Sequence, residues 1–160
     1  MVEVKDIKKV ALFSVFSDSQ SEALAKITER IAYKEGSLIY QSDEPANHIF
    51  VVTSGLVGMK KIVPEEDLEI SFEKREKGEI FGTACFMEPQ KYTLTAVCLK
   101  ETEVLAIDAD KLRDICNLDP QLGYRFMKEV AKVYFERYKV AKRQIHAMVA
   151  DPTVITALPG

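Results

Sequence analysis

The chain has 160 residues, 47% of them hydrophobic and 29% charged, and a formal net charge of −3. These values predict one folded domain with a sizeable core, and they exclude both a disordered chain and a protein that binds nucleic acid through its overall charge. No apolar run approaches the roughly 20 residues that cross a bilayer and no signal-peptide pattern is present, so we expect a cytoplasmic protein without a membrane span.

The first predicted element is an amphipathic helix over residues 17–33, with Asp18 or Ser19 as its N-cap. An N-cap side chain accepts a hydrogen bond from a backbone N–H group of the first helical turn. Apolar residues recur in this segment at spacings of three and four, which is the period of a helix with one buried face. They are Ala23, Leu24, Ile27 and Ile31.

Six short runs of β-branched and aromatic residues follow this helix. Turn-forming residues separate them, such as the Pro-Glu-Glu-Asp stretch at 64–67. Short strands at these intervals are typical of an all-β barrel or sandwich rather than of βαβ units. We therefore predict a mainly β fold with flanking helices. The predicted strands cover residues 37–40, 48–53, 56–63, 68–73, 92–99 and 103–107.

The helical period returns near the end of the barrel segment. Asp108 or Asp110 can cap a short helix that carries Leu112, Ile115 and Cys116 on one face.

A second, long helix is predicted to begin after Asp119. Aspartate is a preferred N-cap and Pro120 fits the first helical position. The next proline is Pro152. About thirty residues, some 45 Å at 1.5 Å per residue, can therefore form one helix over 119–150.

Two apolar stripes run along this long helix. The longer one, the heptad stripe, has the alternating spacings of a coiled coil. We expect it to pair two chains in a homodimer, while the shorter stripe packs on the barrel. The alternative, in which the whole helix folds back on its own barrel, remains open. The heptad stripe consists of Met127, Ala131, Tyr134, Tyr138, Ala141, Ile145 and Met148, and the shorter stripe of Leu122, Phe126, Val130 and Val133.

The cysteines and histidines show no ligand spacing. Three cysteines are an odd number without a C-x-x-C pair, which argues against a disulfide framework and a zinc site. We interpret them as small buried hydrophobic residues. A haem sensor would have Cys85, Cys98, His48 and His146 available as ligands, but no haem motif supports it.

The order of these elements and three local sequences resemble the cyclic-nucleotide-binding domain family, the family of catabolite-activator-like regulators. IYQSDEPANHIFVVTSG at 39–55 is similar to that family's strand, turn, strand and S-G pattern. KGEIFG at 77–82 resembles the G-D-x-F-G that leads into its phosphate-binding cassette, and 95–97 with 103–107 look like the barrel strands that follow. The resemblance covers roughly residues 7 to 150 and includes the leading segment 10–17.

This resemblance implies a double-stranded β-helix, a jelly-roll-like barrel, with an N-terminal helix and a long C-terminal helix. We accordingly predict a barrel domain with its N-terminal helical segment over 1–118, a lid and dimerisation helix over 119–150 and a tail over 151–160. Transcription factors of the family continue into a helix-turn-helix domain. Ten residues are too short for one, so we expect no sequence-specific DNA binding by this chain alone, although a shortened piece of a longer regulator would have the same sequence.

The resemblance also implies a ligand site. In the family, backbone N–H groups after the F-G dipeptide and an arginine bind the cyclic phosphate, and a glutamate binds the ribose 2′-hydroxyl group. Here Thr83 stands at the glutamate position, Tyr92 at the arginine position and Leu94 at a position that is small in the family. Losing both charged groups should weaken a cyclic nucleotide about a thousandfold. The implied pocket comprises Phe81, Gly82, Thr83, Ala84, Cys85, Lys91, Tyr92, Thr93 and Leu94.

We therefore expect a stand-alone, dimeric regulatory module of signal transduction that senses a small ligand and acts on a regulatory protein partner. A ligand with little or no negative charge suits Thr83, Tyr92, Thr93 and Leu94 better than cAMP or cGMP. Two alternatives remain open, an interaction module with a vestigial pocket and a true cAMP or cGMP regulator that uses Lys91 or backbone groups. No metal or other cofactor is indicated, and the absence of nucleophile, paired-carboxylate and phosphate-loop motifs argues against an enzyme.

Overall fold

The computed structural model describes residues 1–63 and 68–148, with only the backbone described for 62, 63 and 68–72. The predicted turn at 64–67, the last two residues of the predicted long helix and the tail at 151–160 lie outside this range.

The N-terminal segment contains three short helical pieces. They are α1 (Val4–Lys8), a 3-10 turn (Ala11–Phe13) and α2 (Asp18–Lys26). The predicted cap of α2 was wrong, because Ser17 is the N-cap. Its hydroxyl group accepts from the Gln20 N–H group at 3.3 Å, and its own N–H group donates to the Gln20 side chain at 2.9 Å, which forms a capping box.

The helix predicted to reach Tyr33 ends at Lys26, which corrects the second half of that prediction. Thr28–Tyr33 is instead strand β1. It pairs antiparallel with the last strand of the barrel, with Thr28 opposite Ile107 and Tyr33 opposite Thr102. Pairing with a distant strand outweighs the helical spacing of Ile27 and Ile31.

Seven further strands complete two antiparallel sheets. Their orders are β1-β8-β3-β6 and β2-β7-β4-β5. This arrangement confirms the predicted mainly β, jelly-roll-like fold. The strands are β2 (Leu38–Tyr40), β3 (His48–Ser54), β4 (Val57–Val63), β5 (Leu68–Arg75), β6 (Ile80–Phe81), β7 (Thr95–Cys98) and β8 (Thr102–Asp108).

Two helices close the described chain, α3 (Ala109–Leu118) and α4 (Pro120–Met148). The Asp108 side chain caps α3 by accepting from the Lys111 N–H group at 3.0 Å. The Asp119 side chain accepts from the Leu122 N–H group at 3.2 Å, which confirms the predicted cap of the long helix.

The first half of α4 is held against the N-terminal segment. Leu122, Phe126 and Val130 are buried, as expected for the short stripe. The Phe126 ring lies 6.2 Å from the Phe13 ring and 5.7 Å from the Phe16 ring, centroid to centroid. Burial of such side chains stabilises by about 1.5–3 kcal/mol each, which fixes the direction in which the rest of α4 leaves the barrel.

Candidate functional site

The segment after β6 is a short 3-10 helix at Thr83–Phe86, which we call the cassette. Gly82 precedes it with a φ of +80°, and a Cβ atom there would lie 3.0 Å from the His48 carbonyl oxygen and 3.0 Å from the Phe50 ring. Both the left-handed backbone and the close packing therefore require glycine. The Gly82 turn therefore fixes the position of the backbone N–H groups of Thr83 and Ala84, the first two residues of the cassette.

Tyr92 lies behind the cassette and is only 5% exposed. Its hydroxyl group donates to the His48 carbonyl oxygen at 3.0 Å and accepts from the His48 N–H group at 3.2 Å. Burial raises the pKa of Tyr92 to about 12, so the side chain is a neutral hydrogen-bonding group at physiological pH. The Tyr92 side chain therefore hydrogen-bonds to the backbone of strand β3.

A cluster of aromatic rings fills the barrel next to Tyr92. The Tyr40 ring stacks on the Tyr92 ring with centroids 3.6 Å apart and an interplanar angle of 10°. Phe50 and Phe81 stack on each other at 5.0 Å, and both lie within 6.0 Å of the Tyr40 ring. Burial raises the pKa of Tyr40 well above its ordinary value. The interior behind the cassette is therefore apolar and packed.

The cassette is joined to the long helix by a side-chain hydrogen bond between the hydroxyl groups of Thr83 and Tyr134. One turn further along α4, the Arg137 guanidinium group donates to the Ile80 carbonyl oxygen at 2.6 Å and lies 5.2 Å from the centre of the Tyr134 ring. The second half of α4 is therefore tied to the barrel at the first residue of β6 and at the first residue of the cassette.

Arg113 of α3 binds the outer side of the cassette. Its guanidinium group donates to the Cys85 carbonyl oxygen at 3.1 Å and pairs with the Asp110 carboxylate at 2.7 Å. The cassette thus has a cation on its outer face, where the group satisfies a backbone carbonyl.

The predicted pocket residues are distributed over three environments. Phe81, Gly82, Cys85 and Tyr92 are buried, Thr83, Ala84 and Leu94 are half-buried, and Lys91 and Thr93 are exposed.

Sequence reasoning assigned Tyr134 only to the heptad stripe and did not single out Arg75 or Arg137 for the site. Arg75 ends β5 and is 9% exposed. A charged residue at the end of a strand is ordinary in a sequence, so no local pattern marks it. Arg75 lines the same cavity as residues of α4 that are distant in the sequence, so local sequence gives no sign of its surroundings.

The cysteines and histidines lie apart. Cys85 and Cys98 are buried and Cys116 is half-buried, and all three are free thiols. Burial raises the pKa of Cys85 to about 12. Across residues 1–63 and 68–148, no three His, Cys, Asp or Glu side chains are grouped as a metal site would require. None of the helices in the same range is long and apolar enough to cross a membrane.

The heptad stripe is mostly exposed. Met127 is 39% exposed, Tyr138 44% and Met148 84%, whereas Ile145 is half-buried. Tyr124, 69% exposed, lies seven residues before Ala131 and extends the stripe toward the start of α4. The stripe is therefore longer than the sequence pattern indicated.

Comparison with known proteins identifies the family. The family model of the cyclic nucleotide-binding domain matches residues 30–119, which is more than half of the chain. The chain belongs to the cyclic nucleotide-binding domain family, a family of regulatory domains that bind cAMP or cGMP.

Individual relatives are distant. A CRP-like cAMP-activated global transcriptional regulator from Mycobacterium tuberculosis is 20% identical over 126 residues, covering 79% of this chain and 56% of the relative. The chain spans about half the length of the curated relatives it matches.

Solved structures with the same fold cover most of the chain. A Geobacter metallireducens GS-15 protein superposes with a TM-score of 0.77 at 23% identity, covering 86% of this chain and 99% of that one. A cyclic nucleotide-binding domain from Methylobacillus flagellatus KT gives 0.74 at 16% identity, covering 94% and 84%. These likenesses establish the fold.

Proposed function

We propose that this chain is a ligand-sensing regulatory module whose ligand is not a cyclic nucleotide. The observation that carries the proposal is Tyr92, which stands at the arginine position of the family pattern and uses its hydroxyl group on the His48 backbone. A cyclic phosphate placed at the cassette would meet a neutral ring there instead of a guanidinium fork.

Thr83 supports the same proposal from the other hallmark position. A glutamate there would accept a hydrogen bond from a ribose hydroxyl group, whereas Thr83 is engaged with Tyr134. A threonine hydroxyl group provides neither the charge nor the reach of a carboxylate. Both charged contacts of the family pattern are therefore replaced by contacts within the chain.

The proposed mechanism is a population shift of α4. A ligand that competes with Thr83 for Tyr134, or with Ile80 for Arg137, binds better to a state in which the second half of α4 has moved. Differential affinity for two states is what allows a ligand to change an equilibrium. Binding would therefore alter the helix that carries the heptad stripe.

We further propose that residues 119–150 form the dimerisation element and 1–118 the sensing barrel, with 151–160 as a tail. The exposed Met127, Tyr138 and Met148 side chains favour pairing of α4 with a second copy. A cytoplasmic homodimer in which the stripe is covered would transmit movement of α4 from one chain to the other or to a regulatory protein partner.

A second candidate is an interaction module that has lost its ligand. The packed rings of Tyr40, Phe50, Phe81 and Tyr92 favour it, because they leave little room behind the cassette. In this case α4 would dock on a partner without control by a small molecule.

The test is calorimetric titration with cAMP and cGMP. The wild-type chain is compared with the double variant Thr83→Glu/Tyr92→Arg, and with the uncharged double variant Thr83→Gln/Tyr92→Met as a matched control. Circular dichroism verifies that each variant is folded. We expect the wild-type chain to bind either nucleotide with a Kd above about 1 mM, which is a thousandfold weaker than a micromolar site.

Three outcomes are distinguished. Nucleotide binding only by the charged variant supports a sensor whose ligand specificity has changed. Binding by neither protein favours the interaction module. Micromolar binding by the wild-type chain overturns the proposal and identifies a true cyclic nucleotide regulator that uses backbone groups or Lys91.

A further inference from the structure

A cavity of about 1040 Å³ lies between the second half of α4 and the segment that joins β5 to β6. Arg75 and Ile80 line the barrel side, and Val133, Arg137 and Val140 line the helix side. Pockets of roughly 300–1,000 Å³ are the usual size for small-molecule sites. Gly78, Glu79 and Ile80 of the segment at 77–82 line it, and Ile80 leads into β6, whereas the aromatic rings packed behind the cassette do not line it.

Arg75 brings a buried cation to this cavity. Its guanidinium group donates to the Lys74 carbonyl oxygen at 2.9 Å and forms an ion pair with Glu73. Its Nε–H group is buried and has no hydrogen-bond partner among the described residues. A buried unsatisfied donor on a charged group is costly, so it marks a place where an acceptor is missing.

Arg137 presents the same feature from the opposite wall. One nitrogen donates to the Ile80 carbonyl oxygen at 2.6 Å, whereas Nη1 is buried without a partner among the described residues. The ion pairs formed within the described part of the chain do not include Arg137. Burial lowers the pKa of Arg137, and the neighbouring positive charge of Arg75 lowers it further.

Four cations and three carboxylates line the cavity, because Lys74 and Lys132 also belong to its lining. Each of the three carboxylates is engaged with another group of the chain. Glu73 pairs with Arg75, Glu79 accepts from the Glu76 N–H group at 2.7 Å, and Glu136 pairs with Lys139 at 2.8 Å. Two facing guanidinium groups that each retain a buried donor form a site for an oxyanion, which such groups bind with charge-assisted hydrogen bonds.

Another part of the wall is apolar. Leu12, Ile80, Val133 and Val140 contribute to it, together with Ala141. An inorganic ion would leave these surfaces in contact with water, whereas an organic anion would cover them.

We infer that Arg75 and Arg137 form a binding site for a small organic anion, with a carboxylate or phosphate group between the two guanidinium groups and an apolar body along α4. The sequence alone favoured a ligand with little or no negative charge, because the inner side of the cassette has no cation. Arg75 and Arg137 instead supply positive charge at the other end of β6.

The inference rests on the proposed ligand-sensing function for its biological meaning. An anion that binds the free Nη1 group of Arg137 would lie beside the Nη2 contact with the Ile80 carbonyl oxygen, which is one of the contacts that tie α4 to the barrel. Ligand binding at this cavity would therefore act on the same helix as the proposed sensor.

The test uses 2-naphthoate as the probe in calorimetric titration of the full chain at constant ionic strength. Naphthalene-2-methanol is the uncharged control ligand, and inorganic phosphate tests the anion without an apolar body. We expect 2-naphthoate to bind at least tenfold more tightly than naphthalene-2-methanol. Tighter binding of phosphate than of 2-naphthoate would assign the site to phosphate-bearing ligands within the same oxyanion chemistry.

The variant Arg137→Gln should weaken 2-naphthoate binding about tenfold or more, because hydrogen bonds to charged groups are lost. Arg125→Gln on the exposed face of the same helix is the matched control and should stay within about twofold of the wild-type chain. Arg137 is half-buried, so this variant avoids the folding risk of replacing the fully buried Arg75.

A spectroscopic readout localises the probe. In ¹⁵N spectra, the side-chain Nε–H signals of Arg75 and Arg137 should shift on addition of 2-naphthoate. Equal affinity for the acid and the alcohol, equal effects of the two arginine variants, or shifts confined to other arginines would each overturn the inference. Micromolar cAMP binding would instead overturn the proposed function, so the two failures are told apart.

Discussion

Thr83 and Tyr134 are separated by 51 positions in the sequence and share a hydrogen bond between their hydroxyl groups. The bond joins the cassette to the middle of α4. Because it is formed by side chains at the surface, its contribution to the free energy of unfolding should be small, about 0.5–1.5 kcal/mol. Its importance lies in which two parts of the molecule it connects.

Removing this bond should loosen both partners locally. We expect Tyr134→Phe to accelerate hydrogen exchange in the cassette and in residues 130–137, with a loss of overall stability below about 1.5 kcal/mol. Hydrogen exchange measured by mass spectrometry tests this. Tyr138→Phe, one turn further along α4, is the control and should leave cassette exchange unchanged. Equal exchange in the two variants would show that the bond does not restrain α4.

The hydroxyl group of Tyr92 should contribute to stability in addition to the packing of its ring. The variant Tyr92→Phe keeps the stack on Tyr40 but removes both hydrogen bonds to His48, so we expect a loss of about 1–3 kcal/mol. Urea denaturation measures this loss, and the free energy of unfolding should depend on urea concentration with the same slope in the variant and the wild-type chain. Tyr124→Phe makes the same chemical change at an exposed site and should cost less than about 0.5 kcal/mol. A comparable loss in both variants would contradict the assigned role.

The heptad stripe should control the oligomeric state. If α4 pairs with a second copy, a buried glutamate in the stripe is strongly disfavoured, so Tyr138→Glu should give a monomer in sedimentation equilibrium while the wild-type chain is a dimer. Lys128→Glu introduces the same residue outside the stripe and should remain dimeric. A monomeric wild-type chain would refute the pairing.

Alkaline pH should destabilise the fold through Cys85. Its pKa is about 12 in the folded chain against an ordinary value of 9.0, so between these values the unfolded chain releases a proton that the folded chain retains. The contribution of this thiol is complete below about pH 9 and is lost as pH rises toward 12, at up to about 1.4 kcal/mol per pH unit.

The alkaline prediction is tested by the pH slope of the unfolding free energy. Cys85→Ala should make the slope above about pH 9 shallower than in the wild-type chain, whatever its effect on stability at neutral pH. Cys116→Ala removes a less buried thiol and should change the slope less. An identical slope in Cys85→Ala and the wild-type chain would contradict the buried, protonated thiol.

Local sequence patterns predicted the elements that depend on interactions between residues close together in the sequence. The caps at Asp108 and Asp119 and most of the barrel strands were recognised because an N-cap or an alternating run requires only neighbouring residues. The strand at Thr28–Tyr33 was missed because its partner β8 is distant in the sequence, with Thr28 opposite Ile107 and Tyr33 opposite Thr102. The two-residue β6 is too short to produce a periodic signal.

The candidate site was predictable only as far as the resemblance reached. The resemblance to the family motif predicted where the cassette begins and singled out Thr83 and Tyr92. It gave no information on what those side chains contact, because the contacts of Thr83 with Tyr134 and of Ile80 with Arg137 depend on the path of α4 across the barrel. That path depends on the buried Phe126, whose ring contacts Phe13 and Phe16 of the N-terminal segment and Phe86 of the cassette.

Because Arg137 is held at the Ile80 carbonyl oxygen, a tilt of α4 at this contact displaces the part of the helix that follows it. Eleven residues separate Arg137 from Met148, the last described residue of the helix, and at 1.5 Å per residue they span about 16 Å. A tilt of about 10° at Arg137 would displace Met148 by roughly 3 Å, on the geometry of a rigid helix. A small change in the direction of α4 at Arg137 therefore produces a larger displacement at the far end of the helix.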